Sequence, residues 1–224
     1  MSKLILFAAF IACILLLSFN YDKKKKVIFF GDSITQMGAQ PGGYIRVMDS
    51  LLKQEGAENK YELVGAGIGG NKVYDLYLRM EEDVINKSPD IVVIYIGVND
   101  VWHKTSSGTG TDYNKFGQFY EAIVKKLKAA GTKVILCTPA VIGEKKDFSN
   151  QQDGDMNQYS SWIRQYAAKE SLPLVDLRTL FHEYELQNNP DNKESGILTR
   201  DRVHLNAAGN LLVAEAMWKA IKSL

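Results

Sequence analysis

Ile91-Val92-Val93-Ile94-Tyr95-Ile96 is an unbroken apolar run, mostly β-branched, that stops at Gly97-Val98-Asn99-Asp100. β-Branched residues fit a pleated strand. A strand with no polar alternation has both faces covered, which is the condition of a parallel sheet between helical layers. Upstream, Lys26–Phe30 and Tyr61–Val64 read as two more strands, and Tyr44–Gln54 between them as a helix. Ile45, Met48, Leu51 and Leu52 share one face of that helix, and Gly56 stands just past its end. Lys72–Ile85 has a helical pattern. Downstream come a helix over Tyr113–Ala130 closed by Gly131, a strand over Lys133–Cys137 and a helix over Asp155–Ser171. A short strand over Leu174–Asp176 and a closing helix over Asn206–Leu224, with Asn206 as its N-cap, complete the chain. Alternating strands and helices predict one three-layer α/β/α sandwich around a parallel five-stranded sheet.

Two polar stretches interrupt the pattern, Lys104–Asp112 and Gly143–Asp155. Both follow strands, and loops leaving the carboxyl ends of parallel strands border the ligand crevice. Both are therefore expected to flank a site.

The chain has 224 residues, 46% hydrophobic and 24% charged, which excludes a disordered chain, a collagen-like repeat or a disulfide scaffold. Lysine and arginine number 27 against 26 acids, and Lys3 is the one charged residue among the first twenty. A neutral body gives no electrostatic footprint for nucleic acid. Leu4–Phe19 is uncharged; as a helix it would span roughly 24 Å, short of a ~30 Å bilayer core. Residues 1–20 thus read as a secretory signal peptide or, if retained, a membrane anchor, and residues 21–224 as the single domain. The only expected membrane contact is through residues 4–19, and the expected location is exported. The Lys23–Lys26 run disfavours transfer of that flank and keeps the anchor reading open. Cys13 lies inside the apolar run, and Cys137 lies in a strand pattern, so an intramolecular disulfide is not expected.

Four short blocks carry chemistry. Gly31-Asp32-Ser33-Ile34-Thr35 follows the first strand directly, which puts a hydroxyl at the carboxyl edge of the sheet beside backbone N–H groups. Alone, Gly-Asp-Ser is a common turn. Gly65-Ala66-Gly67-Ile68-Gly69-Gly70-Asn71 reads as a glycine-rich turn after the second strand, where backbone can approach a ligand closely. It also matches G-x-G-x-x-G, but no acid closes the next strand, as a dinucleotide site requires. In Gly97-Val98-Asn99-Asp100 an Asn amide can donate into the same crevice, or simply close an Asx-turn. In Asp201-Arg202-Val203-His204 a carboxylate three residues before an imidazole can reach Nδ1, fix the tautomer and leave Nε2 free as a base. The other histidines, His103 and His182, are distant in sequence, and no histidine spacing suits a metal.

Together the four ordered blocks resemble the SGNH hydrolases, also called the GDSL esterase/lipase family, over essentially the whole chain after residue 25. The resemblance implies a flavodoxin-like fold and a serine esterase needing no cofactor and no metal. By position it makes Ser33 the nucleophile, with Asp201 and His204 completing the triad. The oxyanion hole would be formed by the N–H of Ser33, the N–H of Gly70 and the Asn99 amide. Gly65 stands where the family pattern has Asn, which makes the placing of Gly70 rather than Gly69 the weakest correspondence. There is no G-x-S-x-G elbow, which disfavours the other large esterase fold. Family substrates include acetylated sugars, lysophospholipids, thioesters and simple esters. Trp102 and His103 follow the third block and are expected to line the substrate pocket, although Trp102 would equally suit the core. No long apolar lid is visible, so a short acyl group, acetyl above all, on a small-molecule or carbohydrate ester is expected. A lysophospholipase or thioesterase is the enzymatic alternative. A non-catalytic carbohydrate-binding relative is the alternative of another class.

Overall fold

A computed structural model describes residues 23–224. The signal or anchor expected over residues 1–20 lies outside the described residues, and no described helix is long and apolar enough to cross a membrane.

Five strands form the sheet: β1 (Lys25–Gly31), β2 (Tyr61–Gly67), β3 (Ile91–Tyr95), β4 (Lys133–Cys137) and β5 (Leu174–Val175). All pair in parallel, in the order β2-β1-β3-β4-β5. That is the flavodoxin-like order, and it places the topological switch point between β1 and β3. Every residue of β3 is buried, as its unbroken apolar run demands. The helices are α1 (Ser33–Gly38), α2 (Tyr44–Gln54), α3 (Val73–Asp83), α4 (Val98–Ser106), α5 (Tyr113–Ala129), α6 (Asp153–Glu170), α7 (Leu177–Asn188) and α8 (Ala207–Lys222). Helix α2 packs against α8, and α3 against α5. Phe116 and Tyr120 of α5 pack on Tyr159 and Trp162 of α6 with ring centroids 4.8 to 5.9 Å apart. Such pairs add about 0.5–1.5 kcal/mol each beyond their buried area. Asn206 caps α8 as expected, its side chain accepting from Gly209 N–H at 3.0 Å.

Three features depart from the sequence reading. Gly65, Ala66 and Gly67 are not a turn; they are the last residues of β2, paired with Phe29, Phe30 and Gly31. A Cβ on Gly67 would stand 2.2 Å from the backbone nitrogen of Gln36. The glycine therefore lets the first turn of α1 pack onto the strand. Lys104–Ser106, expected in a loop, belongs to α4. Leu177–Asn188 forms a helix, capped by Asp176 accepting from Thr179 N–H. Its buried face includes Arg178 and Glu185, which hid the apolar period.

Candidate active site

Strand β1 ends at Gly31, and Asp32 turns the chain into α1. The buried Asp32 carboxylate caps that helix by accepting from Ile34 N–H at 2.9 Å. Burial, reinforced by the charge of Asp100 and opposed by the Ile34 N–H and by Arg79, pushes the Asp32 carboxyl up to about 7. Ser33 is thus the first residue of a helix pinned to the end of the sheet.

On the opposite side of the serine, the segment Arg200–Leu205 makes a tight loop before α8. Arg202 adopts a left-handed φ of 80°, a conformation that costs a non-glycine residue about 1–2 kcal/mol. This curl folds the chain around the Asp201 carboxylate. Its Oδ1 accepts from His204 N–H at 2.7 Å and Val203 N–H at 3.2 Å. Its Oδ2 lies 2.8 Å from His204 Nδ1. His204 Nε2 is 3.0 Å from Ser33 Oγ. Burial pushes the Asp201 carboxyl upward, but the N–H groups of His204 and Val203 and the His204 ring outweigh it and hold the group below its ordinary value.

The third wall is the loop between β2 and α3. Gly70 has φ of 76° and lies beside His103: a Cβ there would be 4.0 Å from its Cε1. Gly69 N–H is already spent on the Gln36 side chain, at 3.0 Å. Asn99 is buried and donates one amide hydrogen to Asn71 C=O at 3.1 Å, which orients the amide and leaves its second hydrogen available. The buried Asp100 holds the same loop by accepting from Val73 N–H at 3.1 Å. Burial pushes Asp100 up to about 6, against its contacts with Thr111, Val73 and Lys72. His103 sits beside this loop, its pKa lowered by burial and then by Lys72. Trp102 is partly buried and packs against the core. Thus Ser33, His204 and Asp201 meet directly, Asn99 reaches the loop that carries Gly70, and His103 flanks it.

Two supporting residues escaped the sequence reading. Arg79, on α3, donates to Gly31 C=O at 2.7 Å, Ala66 C=O at 3.0 Å and Asn71 Oδ1 at 2.7 Å. It ties the ends of β1 and β2 to the glycine loop. Glu144 is fully buried and accepts from Ile197, Leu198 and Thr199 N–H at 2.6 to 2.9 Å. It braces the segment leading to Asp201. Neither carries a sequence signal, since Glu144 stands beside Lys145 and Lys146 and Arg79 just before Glu81–Asp83. The two polar stretches meet each other through Lys104 and Asp155, 2.9 Å apart. A cavity of about 520 Å³ between β5, α7 and α8 lies away from these groups. Among the described residues no group of three or more His, Cys, Asp or Glu side chains could hold a metal ion.

The chain is similar to several known proteins. An acetylxylan esterase of Geobacillus stearothermophilus is 34% identical over 215 residues, covering 88% of this chain and 94% of its own length. The crystal structure of the acetyl xylan esterase AlAXEase is 62% identical, with a TM-score of 0.86, covering 88% of this chain and 99% of its own. The structure of a catalytic serine mutant of Axe2, an acetylxylan esterase from Geobacillus stearothermophilus, is 29% identical with a TM-score of 0.76, over 88% and 94%. Further Axe2 catalytic mutants replace an aspartate and a histidine three positions apart. The uncharacterized lipoprotein YqeF of Bacillus subtilis (strain 168) is 25% identical over 174 residues, 70% of this chain and 72% of its own. The GDSL-like Lipase/Acylhydrolase family matches residues 29–212, and by that match and these relatives the chain belongs to this family of SGNH-type carboxylic ester hydrolases.

Proposed function

We propose that the protein is an exported esterase that removes acetyl groups from carbohydrate through an acyl-enzyme on Ser33. The observation that carries this reading is the hydrogen-bonded line Ser33 Oγ, His204 Nε2, His204 Nδ1, Asp201 Oδ2, with steps of 3.0 and 2.8 Å. Ser33 attacks the ester carbonyl while His204 Nε2 takes its proton. Asp201 holds the ring in the tautomer with hydrogen on Nδ1 and stabilises the imidazolium. The oxyanion forms among the N–H of Ser33, the N–H of Gly70 and the Asn99 amide, donors set in place before reaction. Collapse breaks the ester C–O bond, and His204 returns the proton to the departing alcohol oxygen. Water, deprotonated by His204, then attacks the acyl-enzyme and releases the acid and free Ser33.

The choice of Gly70 rests on Gly69 being committed to Gln36. The Axe2 catalytic mutants, at a serine and at an aspartate and histidine spaced as Asp201 and His204 are, support the same three roles. His103, beside Gly70, is assigned to the substrate side of the oxyanion hole, while Trp102 packs against the core. Acetylated carbohydrate as substrate is supported by what the acetylxylan esterases are named for. Export is supported by the uncharged Leu4–Phe19 segment and by the lipoprotein among the relatives. The test is a panel of p-nitrophenyl esters from two to sixteen carbons beside acetylated xylan and lysophosphatidylcholine. Preference for acetate and release of acetate from the xylan is expected. Preference for long chains or for the lysolipid makes it a lysophospholipase or thioesterase. No turnover at all makes it a binding relative.

A further inference from the structure

A cavity of about 480 Å³ is lined by residues that neighbour Ser33 and His204 in sequence, though by none of the triad itself, and has no part in the chemistry just described. Its volume falls in the about 300–1,000 Å³ range of small-molecule sites. It starts one residue from each reacting side chain, at Ile34 and at Leu205, and Met37, Gln40, Pro41 and Arg200 wall it. Met37 is one helical turn beyond Ser33 on the same face of α1, about 6 Å along the axis. Arg200 spans the gap between the two halves of the site. Its Nη2 is 2.9 Å from the Met37 sulfur, and its Nε is 3.8 Å from Asp201 Oδ2.

The polar groups here are underused. A guanidinium has five N–H donors, and only Nη2 and Nε of Arg200 have protein partners among the described residues. The Arg200 side chain is 58% exposed. No hydrogen bond engages the Gln40 side-chain amide among the described residues, and Gln40 is exposed. Free donors above an apolar floor of Met37 and Pro41 match the two surfaces of a sugar, its oxygens and its C–H face.

Position selects which part of the substrate enters. His204 Nε2 must deliver a proton to the leaving oxygen, so the alcohol half departs on the imidazole side, where Arg200 and Leu205 lie. Gly70, Asn99 and His103 do not line this cavity. One helical turn from Ser33 is too far for the acyl group of an acetate and suits the unit next to the reacting one. We infer that this cavity is the subsite for the sugar unit adjoining the acetylated one, with Arg200 and Gln40 donating to its oxygens and Met37 and Pro41 supporting its C–H face. This deepens the carbohydrate-ester reading and rests on it.

The test compares kcat/KM for an acetylated xylo-oligosaccharide with that for p-nitrophenyl acetate, whose leaving group has no sugar. If wild type cleaves p-nitrophenyl acetate but releases no acetate from the oligosaccharide, the carbohydrate reading itself falls. With both cleaved, Arg200→Met should lower the ratio of the two values about tenfold or more, mainly through the oligosaccharide KM, the worth of one charged hydrogen bond. Gln40→Ala, which touches no triad residue, should lower it about threefold to tenfold. Titration of unacetylated xylo-oligosaccharide into Ser33→Ala protein should show affinity that the added Arg200→Met weakens by the same factor. Equal losses on both substrates would mean that Arg200 acts through Asp201 and overturn the subsite. An unchanged ratio in both variants would overturn it as well.

Discussion

Replacing Asp201 by asparagine changes one heavy atom, yet its consequence follows from four distances. The Asp201 carboxylate accepts on both oxygens: Oδ1 from the backbone N–H groups of His204 and Val203, Oδ2 from the imidazole Nδ1 side. An asparagine can keep only one of these. With its oxygen left on the two N–H groups, the new NH₂ faces His204 Nδ1 at 2.8 Å. A donor there demands a lone pair on Nδ1, so the ring proton moves to Nε2. Nε2, 3.0 Å from Ser33 Oγ, then donates instead of accepting and cannot take the serine proton. The flipped amide is worse, because it sets NH₂ against two backbone donors. The expected cost is roughly 10³–10⁴ in kcat, or about 4–5.5 kcal/mol at 1.36 kcal/mol per decade. The Asp201 side chain is 47% exposed, so solvent screens part of its charge and the lower end of that range is expected. The assay is kcat and KM on p-nitrophenyl acetate, with a thermal melt. Loss of kcat with KM and melting temperature nearly unchanged supports the orienting role. Turnover within about fivefold of wild type, or a loss explained by a large drop in melting temperature, refutes the reasoning.

Three further outcomes follow from the same geometry. On the proposed role of the amide as a donor to the developing oxyanion, Asn99→Ala should lower kcat about 10²–10³-fold with little change in KM; a pure KM effect would make it a binding residue instead. Gly67→Ala should cost about 1–3 kcal/mol of stability, read by denaturant melt, and lower kcat as well, because the new Cβ meets the Gln36 backbone nitrogen and displaces the start of α1; an unshifted midpoint contradicts that packing. Glu185 is pushed up to about 8, first by burial and then by Glu144, with Arg178 opposing, and its Oε1 has no partner among the described residues. The folded state therefore holds this proton where the unfolded chain releases it, so stability falls as pH rises from the ordinary glutamate range through about 8; Glu185→Gln should flatten that fall and raise the melting temperature at pH 9 but not at pH 4.5, and parallel curves would refute it.

What the sequence disclosed depended on whether neighbours in space were neighbours in the chain. Asp201 and His204 are three residues apart and close their contact within one turn, so their relation was readable. Ile91–Tyr95 announced a doubly covered strand by composition alone. Arg79 could not be read this way, because its acceptors at Gly31, Ala66 and Asn71 come from three separate segments. Glu144 has the same character, reaching over fifty residues to Ile197–Thr199. Helix α7 was hidden because Arg178 and Glu185 occupy its buried face, where the helical period predicts apolar residues. Helix α4 is not legible in the sequence, because polar Asn99 and Asp100 lie on its buried face and Thr105 and Ser106 are weak helix formers. The glycines of β2 looked like a turn because glycine is rare in strands; their reason is the close approach of α1, which is a tertiary fact.

The central claim is that Ser33 forms the acyl-enzyme, and covalent labelling tests it most directly. Wild-type protein treated with a fluorophosphonate should gain one adduct per chain, located by peptide mass spectrometry on Ser33, with loss of esterase activity in proportion to labelling. Ser33→Ala should take up no label, and its kcat should fall by about 10⁴–10⁶. An adduct on a different residue, or ester turnover by Ser33→Ala within tenfold of wild type, would contradict the account.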